Sequence, residues 1–268
     1  MPGLSLHLLS LNGGADAKTF LNALRKSPGI QVIVASRPRY FVIRPNTIDS
    51  TPLTTKKWDL LVLLGSPNKS IPEHLQSAIR DEYRVFVGVP SKLLATYPER
   101  DAKLKRDASS IPLTGSLDAS KGKETSQNLE LSPDLLAFMD RLTKEYDGPV
   151  TMLNLLHFIP GGKKNYFQYG QAFVPVAGKR GGDAKIVGNV VKPPAGVTDS
   201  RGDANRPEEE WWNEISIVHY PSIRHFCDML AGDDYQAINE KYRLAALRDT
   251  LLLCTTEFDA EESRAAKL

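Results

Sequence analysis

The chain has 268 residues, enough for one large domain or two small ones that bury most of their apolar surface. Hydrophobic residues make up 41% and charged residues 25%, the balance of an ordinary soluble globular protein. With 34 Lys and Arg against 32 Asp and Glu, the formal net charge of +2 gives neither a basic nucleic-acid footprint nor an acidic tail. Only Cys227 and Cys254 occur, which suits buried reduced thiols rather than a disulfide framework. The first residues lack a basic start, run 4–11 alternates with Ser5, His7 and Ser10, and no segment reaches the length of a membrane span. A cytoplasmic monomer or homodimer is predicted, with a small-molecule ligand and neither nucleic acid nor membrane as partner.

In chain order, residues 4–11 read as a strand, and Asp16 opens a helix with a Phe20, Leu21 and Leu24 stripe that Ser27-Pro28-Gly29 ends. Residues 31–35, with 40–43, supply a second strand. The apolar run 59–64 is a third, of the kind buried on both faces. A helix is predicted over 73–83 and a strand over 84–89. Residues 99–128 are strongly polar and read as a long mobile linker. Ser132-Pro133 then starts a helix whose buried stripe is Leu135, Phe138, Met139, Leu142 and Tyr146. Next come a strand over 150–159, a helix around 166–174, a strand over 185–192 and a polar loop over 193–210. A strand over 212–220, helices over 223–230 and 235–248, and a strand over 251–258 complete the chain.

The two halves repeat one another. Pro2 opens an apolar run that ends in Gly13-Gly14, and Pro149 opens one that ends in Gly161-Gly162. Trp58 and Pro67 bracket a strand at the same spacing as Trp212 and Pro221. Two degenerate copies of one unit is the economical reading. The predicted fold class is α+β: two tandem ferredoxin-like βαββαβ units packed sheet to sheet as an intramolecular α/β barrel. The first unit spans 1–98, a polar linker 99–131, and the second unit 132–268.

The second copy resembles the family called domain of unknown function 1330, a branch of the dimeric α/β-barrel superfamily. The resemblance rests on Met152-Leu153-Asn154-Leu155-Leu156, Tyr166 with Tyr169, Trp212, Tyr220-Pro221-Ser222, Phe226 and Met229. It continues through Tyr235-Gln236, Arg243, Ala245-Ala246-Leu247 and Asp249, covering 148–258. The first copy lacks both the Tyr-Pro-Ser and the Arg-x-Ala-Ala-Leu. The resemblance implies the barrel fold and a range of activities, from monooxygenase, cyclase, decarboxylase and isomerase to none, so fold alone does not choose the chemistry.

Strand alternation sorts the candidate residues. Leu153, Leu155 and His157 share one face; Asn154, Leu156 and Phe158 share the other. Ile215, Ile217 and His219 share a face, opposite Glu214, Ser216, Val218 and Tyr220. The all-apolar rows suit packing under helices, and the mixed rows suit a cleft in the barrel interior. His7 holds the position of Asn154 in the first copy and is expected in the same interior. A desolvated Glu214 can act as base on an activated carbon acid while Asn154 or Tyr220 holds the developing oxyanion. The alternative is a Glu214 exposed at a strand end or paired with a cation. Candidate catalytic residues are therefore Glu214, Asn154, Tyr220 and His7. Candidate substrate-binding residues are Ser216, Leu156, Phe158, Tyr169 and Arg243, with Tyr169 and Arg243 implied by the resemblance. Arg243 and Asp249 fit either an ion pair or a pocket mouth.

His157 and His219 are expected as neighbours at one end of adjacent parallel strands. No third ligand stands nearby, so no metal is assigned. Gly161-Gly162-Lys163-Lys164 can cradle an anion or be a solvated turn. No haem, flavin or dinucleotide motif is present, and no cofactor is predicted. The function expected is a cofactor-independent enzyme on a small apolar, aromatic or polyketide-like molecule, of isomerase, cyclase, decarboxylase or monooxygenase type. The alternative is a non-catalytic ligand-binding or stress-associated barrel protein.

Overall fold

The computed structural model describes residues 3–65, 70–119, 122–203 and 205–265. Pro2 and Pro67, two of the residues that bracket the repeats, lie outside the described residues. Among the described residues there are eight strands: β1 (Gly3–Leu11), β2 (Val32–Ile43), β3 (Leu60–Leu64), β4 (Ile79–Gly88), β5 (Val150–Phe158), β6 (Asp183–Val190), β7 (Glu214–Tyr220) and β8 (Leu247–Glu257). The helices are α1 (Ala17–Lys26), α2 (Thr51–Thr54), α3 (Glu73–Gln76), α4 (Ser91–Asp107), α5 (Ser116–Ala119), α6 (Pro133–Glu145), α7 (Gly162–Gly178), α8 (Ile223–Ala231), α9 (Asp233–Ile238) and α10 (Phe258–Ala265). None is long and apolar enough to cross a membrane.

The strands close a barrel in the order β1-β3-β2-β8-β5-β7-β6-β4, and each registered pair is antiparallel. Edges close it, β2 against β8 and β4 against β6, rather than one sheet face laid on another. Alternate residues point into the barrel. Leu4, Leu6, Leu8, Leu61, Leu63, Val85, Val87, Leu153, Leu155, Ile215, Ile217, Leu251 and Leu253 form one buried cluster there. An enclosed interior leaves polar groups nowhere to find water, so these rows are apolar. Trp58, Trp211 and Trp212 fill one end, with Trp212 Nε1 donating to the Tyr83 hydroxyl at 2.9 Å.

The other face of each strand lies under helices. Leu60, Val62 and Leu64 pack against Phe20, Leu21 and Leu24 of α1. β3 is therefore buried on both sides, as its unbroken apolar run requires. Asp16 caps α1 by accepting from Thr19 N–H at 2.8 Å, and Ser132 caps α6 ahead of Pro133 by accepting from Leu135 N–H at 3.2 Å.

Three expected elements differ. The helix predicted over 73–83 stops at Gln76, and β4 takes over from Ile79 because residues 79–88 pair along the whole of β1. That ladder overrides the local preference of a charged segment. The helix predicted over 235–248 gives way to a π-helical turn, Asn239–Leu244, and then to β8. The start of the polar stretch read as a linker is helical: α4 runs to Asp107. It is anchored by Tyr97, which is buried in the barrel cluster, and by ion pairs: Lys185 Nζ lies between Asp101 and Glu257, and Lys105 Nζ lies 2.6 Å from Asp101 and 2.7 Å from Asp259.

Candidate functional site

A cavity of about 360 Å³ lies between α7 and the outer face of the second half of the barrel. Its strand residues are Met152 and Asn154 of β5, Glu214, Ser216, Val218 and Tyr220 of β7, Ala184 and Val187 of β6, and Leu252 of β8. Tyr166, Tyr169 and Phe173 of α7, Phe226 of α8, Tyr235 of α9 and Arg243 of the π-turn complete the walls. The exposed lining residues Lys163, Phe167, Gly170, Gln171 and Val174 all belong to α7, so that helix forms the rim.

Close approach sets the position of α7. A Cβ at Gly162 would stand 2.3 Å from the Ala246 carbonyl oxygen, which only glycine avoids. Gly161, at φ 77°, turns the chain into the helix, and Lys163 then extends along the rim to Asn189 Oδ1 at 2.7 Å. Gly161-Gly162-Lys163-Lys164 thus forms the turn from β5 into α7 and the first residues of that helix.

Glu214 is half-buried among apolar walls and makes no side-chain hydrogen bond or ion pair among the described residues. Burial raises its carboxyl to about 7, against a weaker opposing pull from Lys163. Asn154 Nδ2 donates to Met152 O at 3.3 Å, and the Tyr220 hydroxyl points to Met229 Sδ at 3.5 Å. Burial also raises the phenols of Tyr166, Tyr169, Tyr220 and Tyr235, which keeps them neutral donors. The Tyr169 and Tyr235 hydroxyls bond one another at 3.1 Å. The result is an apolar, aromatic chamber with one carboxyl poised near neutrality and a buried guanidinium.

Glu214, Asn154, Tyr220, Ser216, Tyr169 and Arg243 thus line one chamber, but on the outer face of the barrel and not in its interior. The expected orientation is inverted: the all-apolar rows point inward, and the mixed rows face the helices. Leu156 and Phe158 are not in the lining; Phe158 packs on Tyr166, ring centroids 5.2 Å apart. His7 is also elsewhere. It is fully buried on the outer face of the first half, with Nδ1 2.6 Å from Glu82 Oε1 and Nε2 2.7 Å from Ser5 Oγ. Burial pushes the Glu82 carboxyl up, but the His7 hydrogen bond and the charges of His7 and Arg84 together outweigh it and leave the group below its usual range.

His157 and His219 are not neighbours, because β5 and β7 are antiparallel: His219 stands opposite Thr151, while His157 stands opposite Asp249 of β8. Burial lowers His219 to about 3 and also lowers His157, whose Nε2 lies 2.9 Å from Glu209 O. Asp249 does not pair with Arg243. It accepts from the N–H groups of Asn46, Thr47 and Ile48 and pins the loop after β2. Ligand oxygens of Asp101, Glu257 and Asp259 come within 4.8 Å of one another. The ammonium groups of Lys105 and Lys185 already sit among them, which makes the cluster an ion-pair knot.

Sequence reasoning did not select Phe173, Phe226 or Tyr235 for the chamber. Phe173 belongs to the stripe of Tyr166 and Tyr169, which reads as ordinary helix packing, and Tyr235 follows the helix break at Gly232.

No family model matches the chain, and no curated protein does. Among solved structures, a protein of unknown function from Rhodopseudomonas palustris is 25% identical over 47% of this chain and 93% of its own, with a TM-score of 0.35. A monooxygenase candidate from Fusobacterium nucleatum is 8% identical over 95% of this chain and 92% of its own, with a TM-score of 0.44. A mutant chlorite dismutase from Candidatus Nitrospira defluvii is 9% identical over 97% of this chain and 94% of its own, with a TM-score of 0.40.

Proposed function

We propose that the chain is a cofactor-independent enzyme that moves a proton on a small, largely apolar molecule held in the α7 chamber. The observation that carries this is Glu214: an unpaired carboxyl, raised to about 7 by burial, in an aromatic cavity of about 360 Å³. A base with that pKa is half ionised at neutral pH, where a proton acceptor works best. Its carboxylate takes a proton from carbon next to a carbonyl; the C–H electron pair stays as the enolate. Where the substrate carries a β,γ double bond the anion is a dienolate, and return of the same proton at its γ carbon moves the double bond into conjugation, an isomerisation with no oxidant or reductant. Asn154 has a second amide hydrogen to offer the enolate oxygen, and Tyr220 can turn from the weak Met229 sulfur to do the same.

Two further inferences belong to this reading. The halves are tandem copies of a ferredoxin-like unit, supported by the matching orders β4-β1-β3-β2 and β8-β5-β7-β6 along the barrel. The second copy is a relative of the domain of unknown function 1330 family, supported by the location of its pattern residues Tyr166, Tyr169, Tyr220, Phe226, Tyr235 and Arg243 around the chamber.

A second reading is ligand binding without turnover. It is favoured by the present aim of Asn154 at a backbone carbonyl and of Tyr220 at a sulfur, which leaves no pair of donors converged on one point. Deuterium incorporation decides between them. Aryl and polyketide-like ketones and keto acids are incubated with the protein in D2O and followed by NMR. Enzymatic exchange above the buffer rate is expected for at least one compound, falling by about 100-fold or more in Glu214→Gln. Exchange at the buffer rate across the panel, or unchanged in the variant, removes the catalytic reading.

A further inference from the structure

We propose that the molecule taken by the chamber is an anion: a small carboxylate whose charged end pairs with Arg243 while its planar or alicyclic body fills the aromatic cavity. The inference rests on the reading of this chamber as a ligand site, though not on turnover.

Arg243 is only 1% exposed, and a guanidinium does not give up its charge. A buried cation without a counter-ion is costly, and the other buried basic residues of the described chain obey that constraint. Arg180 lies 3.4 Å from Asp228 and 3.1 Å from Asp234, Arg201 lies 3.1 Å from Asp199, and Lys185 sits between Asp101 and Glu257. Arg243 alone among them has no carboxylate within ion-pair distance. Among the described residues its one side-chain hydrogen bond is a long 3.5 Å contact from Nη1 to Asn239 Oδ1, and its buried Nη2 has no partner.

The surroundings make this an address for a ligand. Arg243 lines the chamber with the Tyr166, Tyr169, Tyr220 and Tyr235 rings, which supply area but no negative charge. It is carried by a π-turn, a costly local geometry that recurs where a side chain must be aimed. Glu214 lines the same chamber without reaching Arg243, and Lys163 adds a second cation at the rim. A carboxylate is the group that answers the unpartnered Nη2 of a buried guanidinium. The chamber volume suits one or two rings beyond it.

Binding of four carboxylates, benzoate, cinnamate, cyclohexanecarboxylate and 1-naphthoate, is compared by calorimetry and NMR with binding of their neutral primary amides. At least one acid is expected to bind about tenfold to a hundredfold more tightly than its amide. Arg243→Met is expected to abolish the preference for that acid over its amide, with the acid losing far more affinity than the amide and Arg243→Lys in between. The ligand-free Tm of Arg243→Met should equal or exceed that of the unaltered protein, because the substitution removes an unpaired buried charge; a purely structural arginine would lower it.

Equal affinity for acid and amide, no binding of any acid at millimolar concentration, or an Arg243→Met protein that is less stable yet still prefers the acid would each overturn the proposal. The catalytic reading fails separately: acid binding that depends on Arg243, without deuterium exchange of any compound, sinks turnover and leaves the anion site standing.

Discussion

The hydroxyls of Tyr169 and Tyr235 meet at 3.1 Å, so a buried polar contact ties the middle of α7, the rim of the chamber, to α9. Both groups are buried among apolar neighbours, and each is a principal hydrogen-bond partner of the other. Removing one strands its partner without water to replace it. Tyr169→Phe and Tyr235→Phe are each expected to cost about 1–2 kcal/mol, and the double variant less than the sum. A double-mutant cycle by urea unfolding reads the coupling, and strict additivity would show that the contact does not hold α7 in place.

Glu214 should leave a signature in the pH dependence of stability. Its carboxyl is raised from 4.5 to about 7 in the folded chain, so the folded state holds the proton more tightly than the unfolded state does. The associated stability is fully present below about pH 4.5 and is lost as pH rises through 7. Glu214→Gln keeps the neutral form at every pH. The variant is expected to match the unaltered protein at pH 4 and to be more stable by about 2 kcal/mol at pH 8, with solvent at the half-buried site reducing the full effect. Parallel melting curves across that range would contradict the assigned environment of Glu214.

Lys185 is the keystone of the ion-pair knot under α4. It is fully buried, with Asp101 and Glu257 as its partners. Lys185→Met leaves two buried carboxylates with only Lys105 to answer them, and a loss of about 3–5 kcal/mol is expected. Because α4 has few other buried groups, amide exchange in residues 91–107 should accelerate more than in β5 or β8. Uniform acceleration would mean that the knot supports the whole barrel rather than this helix.

The alternation of β5 and β7 was enough to group Asn154 with Leu156, and Glu214 with Ser216 and Tyr220, because a strand fixes which residues share a side. It could not say which side is inward. That depends on β2 meeting β8 and β4 meeting β6, pairings between segments far apart in the chain. The clue was present in the all-apolar rows Leu153 with Leu155 and Ile215 with Ile217: a closed interior demands such rows more strictly than a helix-covered face with a chamber in it. α4 was illegible for a different reason. Helix patterns are read from apolar stripes, and this helix buries only Tyr97 and Asp101 outright, so much of its hold is through charge. The parallel placement of His157 and His219 failed on topology, since neighbouring strands here run in opposite directions.

The two seams that close the barrel are unequal. β2 and β8 share six register pairs, from Ser36↔Glu257 to Ile43↔Leu252, whereas β4 and β6 share only Val87↔Val190 and Gly88↔Asn189. Both lie within one polypeptide, so closure is a first-order event that dilution does not reverse, unlike a barrel assembled from two subunits. Opening should begin at the short seam, which frees one edge of β6 while β7 still holds the other. Since Ala184 and Val187 of β6 form one wall of the chamber, the easiest way to unzip this barrel is also a way to widen the entrance to its ligand site.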